Sequence, residues 1–205
     1  MNDFIKRILS SIILLPLVLY FMLSNFFYLI LLIIICFLIS FFEWHKMVKK
    51  KIYKILGIVF LIFSFYSFYE LVINYDVLIP LFICISTDIG GYFFGKIFKG
   101  PKLTKISPNK TYAGMIDGYF LSILFISLYF DYINYKVTIT LFITTILISS
   151  VSQIGDIIIS FFKRKSKVKN TGNLIPGHGG LLDRIDGMVF AFPIYYLIHL
   201  TGYLV

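Results

Sequence analysis

Charge is scarce in this chain. Only 14% of its 205 residues are Asp, Glu, Lys or Arg, against roughly 25% in an ordinary soluble domain. Apolar residues fill 59% instead, and the mean hydropathy is +0.91. A water-soluble domain of this size has no interior large enough to hide that much apolar surface, and a disordered chain has the opposite composition. Cysteine is nearly absent too. Cys36 and Cys84 both lie inside apolar runs, so neither a disulfide framework nor a cysteine metal site is on offer. What is left is an all-α, polytopic integral membrane protein.

A helix needs about 20 apolar residues to cross the hydrocarbon core. Ile8 to Phe42 is long enough for two short spans, broken near Ser24-Asn25. Lys6 and Arg7 before an apolar run mimic a signal peptide, but no small-residue cleavage site follows, so a retained anchor is expected. Further spans are expected over Ile52–Tyr69, Val77–Gly95, Ala113–Phe130, Val137–Phe162 and Met188–Val205, making about seven transmembrane helices. Residues 1–76 then form an N-terminal group of about three spans. Residues 77–205 form a core with two long loops, 96–112 and 163–187.

The loops test this count. Taken alternately, one side holds 18 of the 19 basic residues and the other holds only Lys136. The positive-inside rule puts the N-terminus and the three basic loops in the cytoplasm, and the C-terminus outside. The expected location is a bacterial plasma (inner) membrane. The net charge of +9 reads as topology, plus attraction to membrane lipid head groups or an anionic substrate, and not as a nucleic-acid footprint. Arginine is rare, three against 16 Lys. Two of the three, Arg164 and Arg184, fall in one loop.

Ionisable groups inside a span are costly and point to function. Asp88 lies seven residues before Gly95 and Asp156 six before Phe162, both at cytoplasmic span ends. Both therefore sit roughly 10 Å below the cytoplasmic surface. Two carboxylates at one depth imply a polar funnel open to the cytoplasm. Thr145, Ser149, Ser152, Gln153, Asp156 and Ser160 recur at spacings of three and four, one stripe on one helix face. The Ser and Thr members read as helix–helix glue; Gln153 and Asp156 read as functional. Asp117 lies near a loop edge and is left open.

In the 96–112 loop, Ser107-Pro108 reads as a helix start, with Lys110 and Thr111 beside it. Exposed N–H groups and a Lys at a funnel mouth make an anion site. The 163–187 loop is denser in chemistry. It carries Lys163-Arg164, Lys169-Asn170, then Pro176-Gly177-His178-Gly179-Gly180 and Asp183-Arg184-Ile185-Asp186. Glycines around His178 leave backbone N–H groups able to wrap a phosphate chain. Asp183 and Asp186, with Asp156, offer hard oxygens for Mg²⁺.

Ser160, Lys163-Arg164, Lys169, Pro176, His178-Gly179-Gly180, Asp183-Arg184 and Asp186 together resemble the signature of the phosphatidate cytidylyltransferases, or CDP-diacylglycerol synthases. The pattern covers 27 residues with matching spacing. Gln153-Ile154-Gly155-Asp156 and the run from Asp88 to Ser107-Pro108-Asn109-Lys110-Thr111 agree with it. Asn170 stands where the signature has Asp, and Ala113 where the family often has an acidic or amide residue.

The resemblance implies transfer of CMP from CTP to phosphatidic acid, giving CDP-diacylglycerol and pyrophosphate for phospholipid synthesis. It implies Mg²⁺ on Asp156 and Asp183, with Asp186 and Asp88 as further carboxylates. Lys110, Lys163, Arg164, Lys169 and Arg184 would hold phosphates, and Gln153, Thr111, Ser107, His178, Gly179 and Gly180 would line the substrates. A monovalent cation beside Mg²⁺ and a homodimer stay open. So do two other functions: CTP-dependent activation of a different lipid phosphate or polyprenol, and an ion-coupled transporter. The second predicts inverted repeats, which this chain lacks.

Overall fold

In lipid each backbone N–H must find its partner within its own segment, so apolar stretches become helices whatever their β-branched content. The computed structural model describes residues 16, 21, 26–74, 77–98, 100–108, 110–177 and 179–202, and among them every named element is a helix. Five are long: α1 (Phe26–Met47), α2 (Lys51–Ile73), α3 (Leu78–Phe98), α4 (Tyr112–Tyr132) and α5 (Ile139–Lys165). A single turn, α6 (Leu182–Ile185), and α7 (Met188–Leu200) follow. All five long helices are apolar enough to cross a membrane, and the protein is an integral membrane protein. Of the seven expected spans, the first lies outside the described residues except for Pro16 and Phe21. The last is a helix of 13 residues, short of the ~20 a crossing takes. It ends at Thr201-Gly202, where Gly202 adopts a left-handed φ of 71°.

The chain divides into two compact units. The first joins α1 and α2 to residues 162–185, which hold the last turn of α5, the long loop and α6. Its pivot is Trp44, only 5% exposed. The indole Nε1 donates to the Lys54 carbonyl at 3.3 Å, and Gly57 leaves the ring its space. Phe162 packs edge-on against Trp44, with centroids 4.9 Å apart, and against Tyr53 at 5.7 Å. Lys165 Nζ sits 4.1 Å from the centroid of the Tyr53 ring, a cation–π contact.

The second unit holds α3, α4, α5 through Phe161, and α7. Here α3 and α4 touch at the backbone. A Cβ on Gly90 would lie 2.6 Å from the Asp117 carbonyl oxygen, and one on Gly114 the same distance from that of Gly91. Small residues permit this approach, as in other membrane helix pairs. Thr87 Oγ1 donates to Ser149 Oγ at 2.8 Å, tying α3 to α5. Thr145, Ser149 and Ser152 are all buried, consistent with their reading as glue. Gly155 faces Phe190 of α7 and leaves no room for a Cβ.

The expected helix start at Ser107-Pro108 is corrected. The N-cap of α4 is Thr111, extended at φ −119° and ψ 157°, and its side chain accepts from Gly114 N at 3.1 Å. The loop doubles back first. Leu103 N donates to the Lys110 carbonyl at 2.8 Å, and Tyr112 N to the Pro101 carbonyl at 3.1 Å. Those bonds hold Lys110 and Thr111 extended, and Ser107 sits in a turn whose carbonyl accepts from Lys110 N at 3.1 Å.

Candidate active site

Each unit carries one lysine–carboxylate pair built from residues singled out in the sequence. In the first unit the pair is Lys163 with Asp183. Lys163 Nζ donates to Asp183 Oδ1 at 2.9 Å, with side chains 11% and 7% exposed. Thr171 N and Gly180 N both donate to Oδ2, at 2.8 and 2.9 Å. The carboxylate is thus locked by two backbone amides and one cation. A short loop shapes this cradle. Ile175 and Gly179 exchange both backbone hydrogen bonds, at 2.8 and 3.0 Å. Gly179 closes it at φ +92°, a conformation that favours glycine. The amides expected to wrap a phosphate are engaged inside the loop: Gly179 N on Ile175, Gly180 N on Asp183. Arg164, Lys169, Asn170 and Arg184 lie exposed around it. His178 lies outside the described residues.

In the second unit the pair is Lys110 with Asp156, whose side chains are 24% and 26% exposed. Lys110 Nζ bonds Asp156 Oδ2 and reaches the Gln153 carbonyl at 3.4 Å. Ser160 Oγ donates to Asp156 Oδ1 at 3.3 Å. The sequence spacing of Gln153, Asp156 and Ser160 puts all three on one face of α5. The Gln153 side-chain amide reaches the Met115 carbonyl of α4 at 3.5 Å. Asp88, on α3, is exposed. Asp186 lies past the end of α6, and its Oδ1 accepts from Gly187 N at 3.1 Å.

Among the described residues, no three His, Cys, Asp or Glu side chains cluster around a point. The donor chemistry nevertheless fits Mg²⁺. A carboxylate offers about four acceptor positions. Asp183 has two filled on Oδ2 and one on Oδ1, leaving one on Oδ1. Asp156 has one filled on each oxygen. Mg²⁺ usually takes one or two carboxylates and completes its shell with water and substrate phosphates.

Residues 74–201 match the Cytidylyltransferase family. The chain belongs to the cytidylyltransferase family. Both pairs lie in the matched region. A Rickettsia bellii protein called phosphatidate cytidylyltransferase is 36% identical over 208 residues, covering 94% of this chain and 89% of that protein. One of the same name from Rickettsia prowazekii is 33% identical, over 95% and 91%. A Staphylococcus aureus protein of that name reaches 43% over 125 residues, 60% of this chain and 48% of its own length.

Sequence reasoning missed one residue at this cradle. Glu43, in α1, is 8% exposed and takes hydrogen bonds from Thr171, Leu181 and Leu182. The expected span stopped at Phe42, one residue short, and so left Glu43 out. Because α1 runs on to Met47, it is a buried acid inside a helix, the kind of residue that points to function.

Proposed function

We propose that this chain transfers CMP from CTP to phosphatidic acid, giving CDP-diacylglycerol and pyrophosphate. The observation that carries the reading is Asp183, fixed by two amides and Lys163 in the loop that bears the family signature. In the reaction a phosphate oxygen of the lipid attacks the α-phosphorus of CTP. The bond to the β-phosphate breaks and pyrophosphate leaves with the electron pair. The attacking oxygen is already anionic, so no strong general base is required, and positioning and electrostatics do most of the work.

Asp156 in the second unit and Asp183 in the first would each offer carboxylate oxygen to Mg²⁺, which when bound neutralises phosphate charge and polarises the phosphorus centre. Lys163 and Lys110 each fix one of these carboxylates. Arg164, Lys169 and Arg184 are exposed and would meet phosphate oxygens at the water boundary. Thr111 caps α4 beside Lys110, and Gly179 and Gly180 let the loop close tightly against the Asp183 and Glu43 carboxylates. Asn170 keeps an acceptor oxygen where the family signature has Asp.

The site faces the cytoplasm of a plasma membrane, in a seven-span chain with a funnel at that face. The 18-to-1 division of basic residues supports this. A reporter fused after Val205 is expected outside the cytoplasm and one inserted near Lys102 inside; both on one side would overturn the orientation. The activity is tested with purified protein, CTP, Mg²⁺ and phosphatidic acid. CDP-diacylglycerol and pyrophosphate should appear in equal amounts. Product only with a polyprenol phosphate would move the reading to another lipid.

A further inference from the structure

Asp183 owes its pose to two short stretches of chain, and a second carboxylate grips the same two stretches. Thr171 gives its backbone N–H to Asp183 at 2.8 Å and its hydroxyl to Glu43 Oε2, also at 2.8 Å. Gly180 gives its N–H to Asp183 at 2.9 Å. The next two amides, Leu181 and Leu182, go to Glu43 Oε1 and Oε2, both at 2.9 Å. Three donors and no acceptor converge on Glu43, a pattern that a carboxylate satisfies and an amide cannot. The surrounding glycines match. A Cβ on Gly172 would lie 2.6 Å from Glu43 Oε1, and one on Gly180 2.5 Å from it. Any larger residue at either place would push the carboxylate out.

We propose that Glu43 is a positioning residue for the transfer. It clamps both flanks of the signature loop, so that the amides of Thr171 and Gly180 hold Asp183 in one pose. This rests on the transferase reading above. Glu43 lies outside the matched region, on a helix that sequence motifs left as a generic span. It touches the loop only through its backbone and one hydroxyl, so its effect passes to the chemistry through Asp183.

Glu43→Gln puts an NH₂ group against at least one backbone N–H, since only one oxygen remains to accept. The experiment compares wild type, Glu43→Gln, Thr171→Val and Thr171→Ser in lipid nanodiscs, by hydrogen exchange and by steady-state kinetics. Glu43→Gln should speed exchange over residues 170–184 while leaving α2 unchanged. It should lower kcat roughly 10–100-fold, the usual cost of losing a supporting partner, with KM for both substrates shifted less than about threefold. Thr171→Val should move both readouts the same way by less, and Thr171→Ser should recover most of that loss.

An unchanged kcat in Glu43→Gln overturns the proposal. So does exchange that rises equally throughout α2, the mark of general loosening. Should Glu43→Gln fail to fold, Thr171→Val decides alone, and unchanged exchange over 170–184 in that variant overturns the clamp. A wild type that makes no CDP-diacylglycerol, with the local loosening still seen in Glu43→Gln, refutes the transferase reading and supports the clamp.

Discussion

Asp183→Asn is expected to lower kcat by at least about 10³-fold, close to 4 kcal/mol in the barrier. Asparagine brings one acceptor oxygen and one NH₂ group to a place where three donors already point. With its oxygen turned to Thr171 and Gly180, its NH₂ faces the Lys163 ammonium. With the amide turned round, two backbone N–H groups lose their acceptor. Either way Lys163, 9% exposed, keeps its charge and loses the Asp183 carboxylate. Breaking a buried pair from one side costs about 3–5 kcal/mol of stability. Loss of activity therefore has two sources, and a second variant separates them. Asp183→Asn combined with Lys163→Met removes both charges, which is often close to neutral for stability. The double variant should regain most of the lost thermal stability and none of the turnover. Recovered turnover would mean that Asp183 serves only to balance Lys163.

How much of this was legible beforehand depended on the distance over which each feature is decided. The five long helices were legible because hydropathy is summed over some 20 residues and lipid leaves the backbone one solution. Their ends were not. Each described span runs a few residues past its apolar core, as α5 does through Lys163, Arg164 and Lys165, since basic residues suit the last turn of a helix. That small error hid Glu43. Asp156 was legible as an ionisable group inside a span, and Lys110, Lys163 and Asp183 through the loop motifs that resemble a family signature. Which lysine serves which carboxylate was not: Lys163 and Asp183 are 20 residues apart, and Lys110 and Asp156 are 46. The cap on α4 failed for a related reason. Ser-Pro is a local signal, and the pairing of Leu103 with Lys110 comes from the chain folding back on itself.

Asp156→Asn should cost at least about 10³-fold in kcat/KM, again near 4 kcal/mol. The reasoning differs from that for Asp183, because Asp156 is partly open. Its side chain is 26% exposed and that of Lys110 is 24%. A pair that wet contributes little to stability, so unfolding should shift by no more than ~1 kcal/mol. Only chemistry is then left to explain a large loss. Two roles compete. If Asp156 exists to fix Lys110, then Lys110→Met should be as harmful as Asp156→Asn, and the double variant no worse than either, the signature of groups acting as one unit. If Asp156 holds Mg²⁺, Lys110→Met removes one phosphate contact and leaves the metal in place, so its loss should be ten- to a hundredfold smaller. The second pattern is expected, because Asp156 retains an unfilled acceptor position on each oxygen. Asp117 supplies the control. It meets α3 through its backbone carbonyl at Gly90, which substitution of the side chain leaves intact, so Asp117→Asn should cost less than about tenfold. Equal losses in Asp117→Asn and Asp156→Asn would show that the carboxylates act by their summed charge in the membrane and that Asp156 binds no ion of its own.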